Sequence, residues 1–301
     1  MMQPPETITE LADGLTRIIA PNPSAFTYWG TNTYLFGHKD VAVIDPGPND
    51  PGHIDTILSA LAPGQRITHI LTTHAHEDHT PGAAPLAART GAPVYAFGDA
   101  LAGRSVVMQA LASQGLTGGG DGVDDVFTPD EILSDGQTVT ADSWSLSAIW
   151  TPGHFGNHLS FEFDGPEGKS AFCGDLVMGW STSIVSPPDG DLTDFMASCD
   201  RLRQRGHVRL YPGHGDPITD PGARLEWLIN HRRARETAIL EAIGAGPANI
   251  SDLAAQVYTD VAPSLLPAAE RNILAHLVDL VGREKVKAAP KLGQNALFSL
   301  A

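Results

Sequence analysis

Residues 73–80 read Thr-His-Ala-His-Glu-Asp-His-Thr, which puts His74, His76, Asp78 and His79 within six consecutive positions at the end of an apolar run. Neutral imidazole nitrogens and a carboxylate at that density suit zinc or a similar divalent cation. Further donors stand beside small residues later in the chain: His154 in Thr-Pro-Gly-His, Asp175 in Cys-Gly-Asp and His214 in Tyr-Pro-Gly-His-Gly. Glycine and proline let the backbone turn sharply beside a crowded cation, and a carboxylate such as Asp175 can bridge two cations where a neutral imidazole cannot. Together these positions offer seven donors, enough for two metals of four or five ligands sharing Asp175 and a solvent molecule.

The elements that must hold these donors are short. Ile67 to Thr73 reads as a buried strand and Pro81 to Arg89 as the helix after it, so the first four donors sit in a strand-to-helix turn. If the chain is extended through His74 and His76, their side chains share one side, while Asp78 and His79 lie beyond as the backbone bends. Other apolar runs also end in turns: Val41 to Ile44 before Asp45-Pro46-Gly47, Leu146 to Trp150, Ala171 to Cys173 and Val208 to Tyr211. Helical patterns lie between some of them, at Ile54 to Leu61 and Pro81 to Thr90, so residues 1–221 read as mixed α/β. The glycine-rich stretch 115–124 reads as a mobile connector or lid, and no Lys-Ser/Thr follows to make it a phosphate cradle.

Beyond residue 221 the texture turns helical: Ala223 to Ala245, Ile250 to Tyr258 capped by Asn249 or Ser251, and Ser264 to Val281. Lys285 to Ala301 alternates like a hairpin around Lys291-Leu292-Gly293, so residues 222–301 are expected to form a small helical, winged-helix-like domain.

Composition narrows the function classes. A formal charge of -16 argues against a general polyanion binder, and the acid excess lies before residue 222, since the tail holds nine Lys or Arg against eight Asp or Glu. No stretch approaches the apolar length that spans a bilayer, and Met1 to Arg17 has no signal-peptide pattern, so a cytoplasmic protein with no membrane partner is expected. The two cysteines, Cys173 and Cys199, fit buried reduced thiols.

The run Thr-His-Ala-His-Glu-Asp-His, followed in order by Thr-Pro-Gly-His, Gly-Asp and Pro-Gly-His-Gly, resembles the metallo-β-lactamase-fold hydrolase superfamily. Gly-Thr-Asn-Thr-Tyr-Leu at Gly30 to Leu35 and Val-Ile-Asp-Pro-Gly at Val43 to Gly47 fit it as well. The resemblance implies an α+β fold, a four-layer αβ/βα sandwich with the metal centre at one edge. It implies that His74, His76 and His154 hold one metal and Asp78, His79 and His214 a second, with Asp175 between them and Asp45 behind the ligands. Two divalent ions are expected, zinc first, with manganese and iron accepting the same donors. The helical tail, with Asn-His-Arg-Arg-Ala-Arg-Glu at Asn230 to Glu236, is similar to the β-lactamase-like protein 2 group, which includes an endoribonuclease. His231, Arg232, Arg233 and Arg235 read better as a solvated helix packed on the main domain than as a substrate site.

The expected activity is a binuclear metal-dependent hydrolase that uses a metal-bridging hydroxide on a small ester, thioester, lactone or lactam, with weak β-lactamase activity allowed. Asp78 would orient the nucleophile or take its proton. His158, four residues after His154, matches a recurrent histidine of the superfamily and is either a proton donor to the leaving group or a structural residue. Two alternatives stand beside this reading: a single-stranded RNA endoribonuclease guided by the tail, and a mononuclear iron persulfide dioxygenase. A small-molecule substrate is expected, and the acidic charge disfavours RNA. Glu77 is read as facing solvent or lying behind the ligands.

Overall fold

The computed structural model describes residues 5–118, 122–259 and 261–301. The centre of the glycine-rich stretch, residues 119–121, lies outside the described residues, and with it the reading of that stretch as connector or lid.

The first sheet contains β1 (Ile8–Ala12), β2 (Leu15–Ile19), β3 (Asn32–Phe36), β4 (Asp40–Ile44), β5 (Arg66–Leu71), β6 (Val94–Ala96) and β7 (Glu131–Ile132), in spatial order of sequence. It is antiparallel from β1 to β4 and parallel from β4 to β7. Parallel neighbours need a crossover, and α1 (Pro51–Ser59) and α2 (Ala83–Thr90) supply two of them. Asp50 caps α1 by accepting the His53 N–H, and Gly91 ends α2 in the left-handed region. After α3 (Val106–Ser113) come β8 (Thr138–Ala141), β9 (Trp144–Trp150), β10 (Leu159–Gly165), β11 (Gly168–Gly174) and β12 (Arg209–Pro212), which form the second sheet in the order β12-β11-β10-β9-β8. The β11 to β12 crossover is α4 (Leu192–Arg205).

Burial follows the four layers. Tyr34, Ile44, Phe161, Phe172 and Tyr211 meet between the two sheets. Ile54, Ile57 and Leu86 of α1 and α2 cover the outer face of the first sheet beside Val41, Val43 and Ile70. Phe195, Cys199 and Leu202 of α4 cover the second beside Ala171, Cys173 and Leu210. Both cysteines are therefore buried free thiols, and burial pushes the Cys199 thiol up to about 12.

The C-terminal part comprises α5 (Pro221–Gly244), α6 (Ile250–Val257) capped by Asn249, a short 3-10 turn at Pro263–Leu265, α7 (Leu266–Gly282) and a hairpin of β13 (Val286–Ala289) and β14 (Leu297–Leu300). Its core of Ile239, Leu253, Leu274, Leu277 and Phe298 also takes in Met108 and Leu111 of α3. The start of α5 packs instead on the second sheet through Leu225, Leu228 and Ile229. One long helix thus serves both cores, and α3 reaches across to the second one. No helix among the described residues is long and apolar enough to cross a membrane.

Candidate metal centre

Two parallel strand pairs bring the donors to one rim. Because β4 and β5 run in the same direction, Asp45 and the segment from Thr72 to Gly82 leave the first sheet side by side. The parallel pair β11 and β12 does the same for Asp175 and His214 in the second sheet. His154 lies in the turn between β9 and β10 at the same rim. Ligands at the carboxyl ends of neighbouring strands are what parallel pairing delivers.

The seven expected donors converge. His74, His76 and His154 form one cluster of ligand atoms, Asp78, His79 and His214 another, and Asp175 joins His74 and His79 in a third, with the atoms of each cluster within 4.8 Å of one another. His76 Nδ1 lies 2.9 Å from His74 Nε2 and 3.1 Å from His154 Nε2. Asp175 Oδ2 is 3.2 Å from His214 Nε2 and 3.8 Å from His154 Nε2, so this carboxylate stands between the two groups. Asp78 Oδ2 lies 3.3 Å from His79 Nε2 and 3.2 Å from His214 Nε2.

The protons on these rings follow from their outer neighbours. Asp45 accepts from the Thr73 amide at 2.7 Å, the Thr73 hydroxyl at 2.8 Å and His79 Nδ1 at 2.9 Å. Having donated its proton to Asp45, the Thr73 oxygen accepts from His74 Nδ1 at 2.9 Å. His154 Nδ1 donates to the Ile184 carbonyl at 2.7 Å, and His214 Nδ1 to the Gly30 carbonyl at 3.3 Å. In the neutral form that metal ligation requires, four rings would therefore aim their Nε2 lone pairs at a common space. Among the described residues, His79 Nε2 and Asp175 Oδ1 are buried there without a hydrogen-bond partner. Lone pairs facing lone pairs in a buried space are unfavourable unless a cation lies between them, so the donor set fits divalent metal.

Electrostatics separates the two groups. Burial lowers the histidines of the first, and the crowding of one imidazole on another adds to it, taking His76 down to about 3. Burial opposes charge on His79 and His214 too, but the carboxylates of Asp78 and Asp175 overcome it and push His214 up to about 10. Burial works against ionisation of Asp78 and Asp175, and these same imidazoles hold both well below the usual carboxylate range.

Residues with no metal-ligand chemistry fix the geometry, and sequence reasoning passed over several. Thr31 donates to Asp78 Oδ2 at 2.8 Å, while its own amide is held by Asn22 Oδ1 at 2.9 Å. Asn157 accepts from the Ala75 amide, between His74 and His76, at 3.2 Å. The usable signal for Thr31 was its place in the Gly30 to Leu35 run; nothing local marks Asn157. His158 is fully buried, accepts the Asp175 amide on Nε2 at 3.2 Å and engages the Thr151 hydroxyl through Nδ1 at 2.9 Å. Those contacts brace Asp175 from behind, and they are the contacts of the structural alternative for this residue. Glu77 is exposed. Gly213 matters by what it lacks: a Cβ there would stand 2.2 Å from Asp175 Oδ1 and 2.7 Å from His79 Cε1.

A cavity of about 380 Å³ opens over the cluster, with His76, Asp78, His154, Asp175 and His214 in its wall. The C-terminal part builds the opposite side through Tyr258, Val261, Leu265, Ala268 and Asn272. This side is clamped to the main domain by buried arginines. Arg232 donates to Asn272 Oδ1 at 2.9 Å and to the Ser183 carbonyl, and Arg271 donates to Ser186 Oγ at 3.0 Å. Arg232, 2% exposed, is thus a buried clamp, while Arg235 covers the Tyr258 ring at 4.5 Å and Arg233 faces solvent. The solvated helix expected here holds for only part of the run.

A profile described as Metallo-beta-lactamase superfamily matches residues 27–214, the span that carries the donors. The chain belongs to the metallo-beta-lactamase superfamily. A second profile, Beta-lactamase associated winged helix domain, matches residues 250–294 of this metallo-beta-lactamase protein. A Beta-lactamase-like protein 2 homolog of Drosophila melanogaster is 30% identical over 297 residues, covering 94% of this chain and 92% of its own. An atrochrysone carboxyl ACP thioesterase of a Cryptosporiopsis species is 27% identical over 247 residues, covering 80% of this chain and 66% of its own. Among solved structures, a metallo-beta-lactamase family protein of Thermus thermophilus superposes with a TM-score of 0.76 at 25% identity, over 97% of this chain and 100% of that one. Members of the metallo-beta-lactamase superfamily are hydrolases, and this chain is an enzyme of that superfamily with a His/Asp cluster that could hold metal.

Proposed function

We propose that the protein is a binuclear metal-dependent hydrolase of a small ester, thioester, lactone or lactam. His74, His76 and His154 would hold one divalent ion, zinc first, and Asp78, His79 and His214 the other, with Asp175 serving both. The observation that carries this reading is the convergence of four imidazole Nε2 atoms and two carboxylates on one space, each ring oriented from behind. Divalent metal supplies a nucleophile at neutral pH by lowering the pKa of water from 15.7 to about 7, and it polarises the carbonyl under attack.

The residues of this chain do the rest. Asp78, held by the Thr31 hydroxyl at the cavity wall, orients the attacking water and takes up its proton on a carboxylate oxygen. His158 holds the Asp175 main chain in register by accepting its amide proton. Asp45 keeps His79 in one tautomer and, through Thr73, does the same for His74. The name of the fungal thioesterase relative supports the acyl-transfer side of this reading. An RNA substrate is disfavoured because, among the described residues, no Lys or Arg lines the cavity to meet phosphate.

The test is metal quantification on purified protein, with the same preparation assayed against thioester, ester, lactone, lactam and single-stranded RNA. Two equivalents of divalent metal, hydrolysis of an acyl substrate, and loss of both in Asp175→Ala are expected. One redox-active iron with oxygen consumption, or cleavage confined to RNA, would overturn the proposal.

A further inference from the structure

Among the described residues, the charged groups on the cavity wall, histidines aside, are Asp78, Asp175 and Asp189, all acidic. Away from the donors the wall is mainly apolar, with Phe26, Met178 and Ile184 from the main domain and Val261, Leu265 and Ala268 from the C-terminal part, and its neutral polar groups include Thr27, Ser181, Thr182, Ser186 and Asn272. Small-molecule sites of this kind bury an apolar ligand body and use a few polar groups to fix its reacting end. The surface is continuous with the donors, since His154 in the cluster is hydrogen-bonded to Ile184 in the apolar wall. The molecule that reaches the donors must therefore lie against these side chains, and a negative group at its far end would find no Lys or Arg on the described wall, where Asp189 is already paired with Arg104.

We infer that the winged-helix part forms an acyl-binding wall, and that the substrate is an ester or thioester whose acyl group is uncharged and apolar. This rests on the hydrolase reading above. Leu265, before α7, and Ala268, in its first turn, set the depth and polarity of that wall. Ala268 has only a methyl group to offer, so its size leaves room that a longer side chain would take away. Binding improves with each methylene of the acyl chain until the cavity is filled, by roughly fourfold per CH2, which is about 0.8 kcal/mol. A carboxylate at the far end of the same chain abolishes the gain, because it must leave water for a wall with no Lys or Arg among its described lining residues.

The experiment uses the full-length, metal-loaded protein and two readouts. Thioesters with acyl chains of increasing length, and their ω-carboxy counterparts, are compared by kcat/KM. Alkyl hydroxamates of the same lengths are titrated as metal-directed probes whose binding needs no turnover. The expected result is tighter binding and higher kcat/KM with length for neutral chains, and a drop of at least tenfold for the ω-carboxy series. Ala268→Phe is expected to shorten the preferred chain, and Leu265→Ser to flatten the length dependence, with metal content unchanged in both. Failure of every ester and thioester to be cleaved would sink the hydrolase reading, while the hydroxamate series would still test the wall. Affinity independent of chain length, or unmoved by both substitutions, would overturn the inference even if thioesters are hydrolysed.

Discussion

Arg232 Nη1 donates to Asn272 Oδ1 at 2.9 Å, joining α5 to α7 at the back of the cavity wall. The guanidinium also donates to the Ser183 carbonyl and packs over the Phe195 ring at 5.2 Å, and burial pulls it below the usual arginine range. Arg232→Ala takes the side-chain donor from the buried Ser183 carbonyl and one of two donors from Asn272 Oδ1, which keeps the Val185 amide at 3.2 Å, at a cost of about 1–3 kcal/mol. A fall in the denaturation midpoint of that order is expected. A change under about 0.5 kcal/mol, the range of ordinary surface substitutions, would mean that the clamp contributes nothing.

Asp45 is the shared acceptor behind His79 and Thr73, and it sits at a positive φ of 52° that its side chain contacts must stabilise. In Asp45→Asn an amide replaces the carboxylate and the tautomer lock on His79 is lost. Metal affinity is expected to fall by about 10- to 100-fold with the fold retained. Chelator competition measures this, and circular dichroism checks the fold.

Gly213 is needed for lack of a side chain rather than for its backbone freedom. Gly213→Ala drives a methyl group to 2.2 Å from Asp175 Oδ1, in a space with no slack. The carboxylate must move, so loss of one or both metal equivalents is expected. Full occupancy in the variant, read by elemental analysis, would contradict the placement of Asp175.

His276 is buried in α7 with neither ring nitrogen hydrogen-bonded among the described residues, and burial, helped by the positive Arg232 nearby, holds it down to about 3. Unfolded, it titrates near 6.5. Between those values the unfolded chain binds a proton that the folded chain does not. Stability is therefore fully present above about pH 6.5 and is lost as pH falls toward 3, by up to roughly 1.4 kcal/mol per pH unit. His276→Leu is expected to flatten the acid side of the stability curve relative to the parent, measured by urea denaturation at pH 4 to 7. Parallel curves would contradict it.

Much of the site could be read along the chain because its donors are local. His74, His76, Asp78 and His79 lie in a single turn, and that turn follows a strand whose apolar run is plain in the sequence. The helices at 221–244, 250–257 and 266–282 were also legible, since caps such as Asn249 and a helical hydrophobic period are short-range signals. Thr31 and Asn157 were not, because an ordinary polar residue becomes a brace only when a distant segment arrives beside it. The same holds for Arg232, which looked like one member of a surface charge run until α7 and the Ser183 loop enclosed it.

The sequence by itself determined which atoms can bind metal, since residue type and spacing fix donor chemistry, and it determined that the tail is helical. Tertiary structure alone decided which proton each imidazole carries and what surrounds the substrate. Tautomers are set by hydrogen bonds to segments far away in the chain, as from His214 to the Gly30 carbonyl and from His154 to the Ile184 carbonyl. The apolar wall likewise exists only where α7 packs across the rim of the two sheets, which no local pattern encodes.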